Sequence, residues 1–153
     1  PDMTTAQLHD KLMLQGADLL LQTVQLIEEN KAPREKQDDN LSCYAKMLNN
    51  DNCRIDWTKS AQDIHNLVRG LNSWPVAYTT LNNKKFKIWQ TRVTTGTGNP
   101  GQIIKLTKQS IIVATGEGAI ELLEIQPPNK AKMPASSYIN GHKQELENNV
   151  SFI

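Results

Sequence analysis

Val76-Ala-Tyr-Thr-Thr-Leu-Asn-Asn-Lys-Lys-Phe-Lys-Ile-Trp-Gln-Thr-Arg-Val93 changes the hydrophobic period of the chain from helical to extended. Val76 to Leu81 and Lys85 to Val93 read as two strands, with Asn82-Asn83 as the turn between them. Residues 85, 87 and 89 share one parity, so Lys85, Lys87 and Trp89 are expected on one strand face while Phe86 and Ile88 point inward. Thr94 to Gly101 is a loop. Strands are then expected at Gln102–Leu106, Ser110–Ala114 and Ala119–Ile125, with tight turns at Lys108-Gln109 and Gly116-Glu117-Gly118. Five short strands at this spacing fit a small closed or nearly closed barrel.

On the N-terminal side, Ser60 and Asp63 form a capping signature for a helix over Ser60–Gly70. Ile64, Leu67, Val68 and Leu71 give it one apolar face, and Gly70 is the expected C-terminal cap. Trp74 beside Pro75, between helix and barrel, reads as a packing anchor. Lys31 to about Arg54 is polar and turn-forming, with Tyr44, Met47 and Leu48 expected to anchor a short helical turn. Thr4 with Gln7 opens an earlier helix to about Glu29, on which Leu8, Leu12, Leu19, Leu20, Val24 and Ile27 recur at helical spacing. Nothing nearby offers that face a partner, so it is expected to belong to a domain whose other elements lie elsewhere. A short helix near Ala135–Gly141 and a polar tail are expected last.

The 153 residues allow one domain, or one domain with part of another. A 38% hydrophobic and 22% charged composition argues against disorder. No apolar run approaches the roughly 20 residues of a membrane span. The opening Pro1-Asp2-Met3-Thr4 has no signal-peptide pattern, and a first residue other than Met suggests a piece of a longer chain. Cys43 and Cys53 are too few for a disulfide scaffold and are expected to be reduced.

The net charge of +1 hides an asymmetry. Residues 1–60 balance to −3, residues 61–112 to +6 and the remainder to −2. Between Asp63 and Glu117 no carboxylate occurs, yet Arg69, Lys84, Lys85, Lys87, Arg92, Lys105 and Lys108 all fall there. Trp74, Tyr78, Phe86 and Trp89 share the same stretch. Basic, carboxylate-free and aromatic-rich sequence suits a polyanion, and it equally suits a solvated face over core aromatics. Trp89 is the better stacking candidate because it shares the lysine face.

Catalytic signals are few. His9, His65 and His142 are scattered, and His65 reads as a packing or surface residue. No metal-ligand spacing joins the cysteines to a histidine, and Thr95 to Gly101 lacks the Gly-Lys-Ser/Thr ending of a phosphate loop. Asn149-Val150-Ser151 matches a glycosylation sequon, discounted without a sign of secretion. Glu121 and Glu124 are expected on a solvated strand edge.

Several motifs together carry a resemblance. Arg54-Ile-Asp-Trp57, Ile64-His-Asn-Leu-Val-Arg-Gly-Leu-Asn-Ser-Trp-Pro75 and Lys87-Ile-Trp89 resemble the C-terminal domain of the methionyl-tRNA formyltransferase family. Gly116-Glu-Gly-Ala-Ile-Glu-Leu-Leu-Glu-Ile-Gln-Pro127, Lys130-Ala-Lys-Met133 and Ile139-Asn-Gly141 continue it. Upstream, Leu8-His-Asp-Lys-Leu12, Gly16, Pro33, Gln37 and Tyr44-Ala45 are similar to the last helix of that enzyme's catalytic domain and its linker.

The resemblance implies an α+β piece in three parts. Residues 1–37 would be a helical remnant of a Rossmann-like formyltransferase domain, 38–53 a linker, and 54–153 an OB-fold-like β-barrel that binds tRNA. The implied parent activity is transfer of a formyl group from 10-formyltetrahydrofolate to the amino group of methionine on initiator tRNA. The family's catalytic Asn, His and Asp and its Ser-Leu-Leu-Pro folate loop have no counterpart here. The chain is therefore expected to hold no cofactor, metal or catalytic residue and to be inactive alone. Its implied partners are initiator Met-tRNA and the missing catalytic domain, in a cytoplasmic monomer with no membrane contact. The implied tRNA-binding residues are Lys46, Arg69, Lys84, Lys85, Lys87, Trp89, Arg92, Lys105 and Lys108. Met47 and Asn50 stand where the family commonly has lysine, which shifts the expected binding toward the barrel. Two rivals are a related formyltransferase acting on an amino sugar or folate, and a stand-alone nucleic-acid-binding adaptor.

Overall fold

The computed structural model describes residues 2–147 and 150–153. Helix α1 runs Thr5–Glu28. The Thr4 hydroxyl accepts from the Gln7 amide at 3.3 Å and the Gln7 side chain accepts from the Thr4 amide at 2.9 Å. This reciprocal cap satisfies two of the free donors at the helix start, as the Thr4/Gln7 spacing predicts. No residue of α1 is buried. Irregular chain follows to residue 50, broken by one short 3-10 turn at Asp39–Leu41 that the Asp38 side chain caps. The helical turn expected at Tyr44, Met47 and Leu48 does not form: all three are exposed, with no apolar surface to anchor on.

From Cys53 onward the burial reverses. Six strands, β1 (Ala77–Leu81), β2 (Lys84–Thr94), β3 (Ile103–Leu106), β4 (Ile111–Ala114), β5 (Ala119–Gln126) and β6 (Met133–Pro134), form one antiparallel sheet. Its order is β1-β2-β5-β4-β3, with the unforeseen β6 paired to β5. Asn82 and Asn83 adopt φ of +50° and +59°, the left-handed pair that a two-residue hairpin between twisted strands requires. All four residues of β4 are buried, matching its unbroken apolar run.

Residues 150–153 overturn the expected polar tail. Ile103 donates to the Val150 carbonyl at 3.3 Å and Phe152 to the Gly101 carbonyl at 2.8 Å. Thr80 and Ile153 exchange two backbone hydrogen bonds at 3.0 and 2.9 Å. The segment thus joins the two edge strands, β1 and β3, and pairs backbone groups that an open edge leaves bare. Phe152 is buried, stacked on Trp57 at 5.7 Å and edge-on to Phe86 at 6.2 Å. Four residues, Val150-Ser-Phe-Ile153, are too short a run to announce a strand on their own. Asn149 of the sequon lies outside the described residues.

Helix α2 (Ala61–Gly70) starts where Ser60 accepts from the Asp63 amide at 3.1 Å. It buries Ala61, Ile64 and Val68, with Leu71 just beyond its end, and packs on β2 and β5. Gly70 is not the cap. It is the last helical residue, and Leu71 closes the helix in right-handed geometry. Helix α3 (Ala135–Glu147) is longer than expected, breaks helical geometry at His142, and covers β3, β4 and β5 with Tyr138, Ile139 and Leu146 buried. Trp74 is not a packing anchor either, being 78% exposed. The Val76 amide donates to the Leu71 carbonyl at 3.0 Å, closing a loop that leaves Trp74 outside. Gly116 has no room for a side chain, since a Cβ there would overlap the Thr58 carbonyl.

Candidate functional site

The alternation of β2 sets out the first group of basic residues. Phe86 and Ile88 are buried, while Lys85, Lys87 and Trp89 lie on the outer face with the parity expected. A register shift between Ile88 and Thr91 then changes the phase, burying Thr91 and exposing Arg92. Tyr78 of β1 stands opposite Lys87, and the Lys85 ammonium lies 3.7 Å from the Tyr78 ring centroid. Lys84, beside the turn, is exposed. None of Lys84, Lys85 and Lys87 pairs with a carboxylate among the described residues. The hairpin therefore presents three uncompensated cations.

A second group lies in a cleft of about 710 Å³ between α2, β2, β5 and the start of α1. Arg69, Trp89 and Arg92 all line it. Arg69 donates from Nε to Asn66 at 3.0 Å and from Nη1 to the Met3 carbonyl at 3.2 Å, with no carboxylate partner among the described residues. Arg92 is instead compensated by its cross-strand neighbour Glu121, Nε to Oε2 at 2.9 Å. The Trp89 indole N–H donates to Gln126 at 3.2 Å, and the Lys132 ammonium lies 5.3 Å from its ring. Lys132 also pairs with Glu124 at 2.9 Å. Glu121 and Glu124 are thus half-buried, paired groups rather than a solvated edge. His65 packs as expected, with Nδ1 2.9 Å from the Thr91 hydroxyl, while its Nε2 lies 3.6 Å from the Asp2 carboxylate.

The start of α1 closes one end of the cleft. Thr5 donates to the Gly70 carbonyl at 2.6 Å and the Ala6 amide to the Asn72 carbonyl at 3.0 Å. Free donors at one helix start meet free acceptors at another helix end, with the two dipoles in favourable order.

Lys105 and Lys108 belong to neither group. They lie exposed on β3 and in the β3–β4 turn, separated from β2 by β5 and β4 in the sheet order. Lys46 is exposed in the irregular segment. Sequence reasoning missed Tyr78 as an outer-face neighbour, Lys132 as a neighbour of Trp89, and His65 and Asn72 as parts of the cleft. Register supplies the first, the β5–β6 pairing the second, and the packing of α2 on β2 with loop 71–76 the last two. Among the described residues no three His, Cys, Asp or Glu come together as a metal site, Cys43 and Cys53 are free, and no helix is long and apolar enough to cross a membrane.

Residues 47–143 match the family described as formyl transferase, C-terminal domain. The methionyl-tRNA formyltransferase of Clostridium perfringens (strain 13 / Type A) is 45% identical over 147 residues, which cover 95% of this chain and 48% of that protein. Its namesake in Geotalea daltonii is 41% identical over 143 residues, covering 94% and 46%. The chain spans about half the length of these curated relatives. Among solved structures, a variant of HypX from Aquifex aeolicus superposes with a TM-score of 0.73 at 14% identity, over 94% of this chain and 27% of that one. HypX in complex with tetrahydrofolic acid gives 0.64 at 17% identity, over 82% and 22%. At these identities the likeness is one of fold.

Proposed function

Since the chain belongs to the formyl transferase family through its C-terminal domain, we propose that it is the tRNA-holding part of a methionyl-tRNA formyltransferase. The whole enzyme moves a formyl group from 10-formyltetrahydrofolate to the methionyl amino group of initiator tRNA, in the cytoplasm and as a monomer. Residues 54–153 form an OB-like barrel that holds the tRNA. Residues 38–53 are a linker, and residues 1–37 are the last part of a Rossmann-like catalytic domain. Folate binding and formyl transfer lie with that domain, outside the sequence described.

The observation that supports this reading best is the β1–β2 hairpin. Lys84, Lys85 and Lys87 are uncompensated there, inside a stretch of 53 residues, 64–116, that contains no Asp or Glu. Phosphates attract such a surface with no local repulsion, and each neutralised phosphate releases counterions. Contacts of this kind position a backbone and read little sequence. Lys105, Lys108 and Lys46 extend the field, and Arg69, Trp89 and Arg92 border it.

Binding of initiator tRNA by the Lys85→Ala/Lys87→Ala double variant, measured over a salt series, tests the reading. Affinity is expected to fall for all tRNAs alike, with the slope of log K against log salt smaller by about two. Unchanged affinity and slope would place the RNA somewhere else.

A further inference from the structure

We infer that the cleft between α2 and β2 is a pocket for one unpaired nucleotide of an RNA, with its base among side-chain amides beside the Trp89 indole and its phosphate on Arg69. The inference rests on the RNA-binding reading above and assigns the cleft a role distinct from that of the hairpin. The volume of about 710 Å³ lies within the usual range for small-molecule sites.

The polar lining has the chemistry of base recognition. Gln7, Gln62, Asn72 and Gln90 all face the cleft, and each keeps at least one polar atom uncommitted. Gln7 uses its carbonyl oxygen on the Thr4 amide, which leaves its NH₂. Gln62 uses its NH₂ on Asn66 and Asn72 its NH₂ on the Trp89 carbonyl, which leaves two acceptors. Gln90 makes no side-chain hydrogen bond among the described residues, so both ends are free. Adjacent donors and acceptors are what a base edge presents, and carboxamides match them in pairs. A surface meant only for phosphate would carry cations at these positions, as the hairpin does.

Trp89 is already ordered for such a role. Gln126 fixes its indole N–H and Asn72 holds its backbone carbonyl, so little side-chain entropy remains to be lost when a base stacks. The charges sort in the same direction. Arg92 is taken by Glu121 and Glu124 by Lys132, while Asp2 faces His65. Among the described residues, that leaves Arg69 as the uncompensated cation of the lining, held in place by the neutral acceptors of Asn66 and Met3.

The test is an NMR titration of the whole chain with the four nucleoside 5′-monophosphates and with ribose 5-phosphate. At least one nucleotide is expected to shift the Trp89 indole and the Asn72 and Gln90 side-chain amides, saturating in the millimolar range. Ribose 5-phosphate is expected to bind about tenfold more weakly. Gln90→Ala, which breaks no side-chain hydrogen bond among the described residues, should weaken the nucleotide about fivefold and leave the spectrum otherwise unchanged. Equal binding of ribose 5-phosphate, an unaffected Gln90→Ala, or no shift at about 10 mM nucleotide each overturns the pocket. The tRNA affinity of the unsubstituted chain separates the two readings. Nucleotide binding by an unsubstituted chain that shows no tRNA affinity retains the pocket and sinks the RNA reading. Salt-dependent tRNA binding without any nucleotide shift does the reverse.

Discussion

Leu122 of β5 and Leu20 of α1 are the same residue in opposite circumstances: one fully buried, the other 65% exposed. The contrast holds for their whole regions. Residues 53–153 bury Trp57, Ile64, Ile88, Ile120 and Phe152 in one core, whereas no residue of α1 is buried. Among the described residues, helix α1 hydrogen-bonds to residues 53–153 through its first turn, where Thr5 and Ala6 donate to the end of α2. An amphipathic period therefore states that a face needs cover and says nothing about who supplies it. In the sheet the cover is written into the same hundred residues. Along α1 it is not, and the leucines contribute none of the roughly 1.5–3 kcal/mol that burial of each would yield.

The largest expected effect tests how far the folded region extends. Phe152→Ala removes an aromatic ring that touches Trp57 and Phe86 and loosens the segment joining β1 to β3. A loss of about 3–5 kcal/mol in urea unfolding is expected. A loss below about 1 kcal/mol would mean that the sheet holds without its closing strip and that the core ends before residue 150.

What the sequence made legible follows from the same distinction. The hairpin could be read because Asn82-Asn83 suits its turn and because parity alone assigns Phe86 and Ile88 inward. The bulge after Ile88 could not, since no residue type at 88–91 demands it, and with it went the phase of Thr91 and Arg92. Trp74 was assigned to the wrong side and the end of the chain was read as a polar tail for related reasons. A lone Trp between two elements, or a four-residue run such as Val150-Ser-Phe-Ile153, is too short to show a phase, so only tertiary contacts decide whether it enters the core. Of the candidate site, the basic hairpin was visible as charge. The cleft was invisible, because Arg69, Asn72 and Gln90 meet only after α2 folds onto β2.

A smaller effect probes the core through its one strongly shifted group. Burial, with Glu145 adding to it, pushes the Tyr138 phenol from 10.0 up to about 12. The folded state disfavours the phenolate, so Tyr138 costs nothing below pH 10, where it is neutral in both states. Between pH 10 and about 12 the unfolded chain ionises first, and stability falls across that window. The difference between the parent chain and Tyr138→Phe in urea unfolding at pH 9 and pH 11 isolates the contribution. Tyr138→Phe is expected to lose less stability than the parent over that interval. Equal losses would show that the ring is wetter than its packing against Phe86 and His142 implies.

The smallest expected effect is the most direct attempt to break the comparison. Leu20→Ala trades a leucine for the best helix former at an exposed position of a helix with no buried residue. Its stability change should stay within about 0.5 kcal/mol, against 2–5 kcal/mol or so for Leu122→Ala at the centre of the sheet. Propensity alone even favours the alanine by a few tenths of a kcal/mol, so a slight gain is compatible with the structure. A loss of about 2 kcal/mol at Leu20 would mean that something covers α1 in solution, either a second copy or the chain's own irregular segment. Repeating the measurement at two protein concentrations separates those, because only cover by a second copy depends on concentration. If the loss is absent at both, the face is bare. The leucine row along α1 is then a surface whose partner has to come from outside the 153 residues.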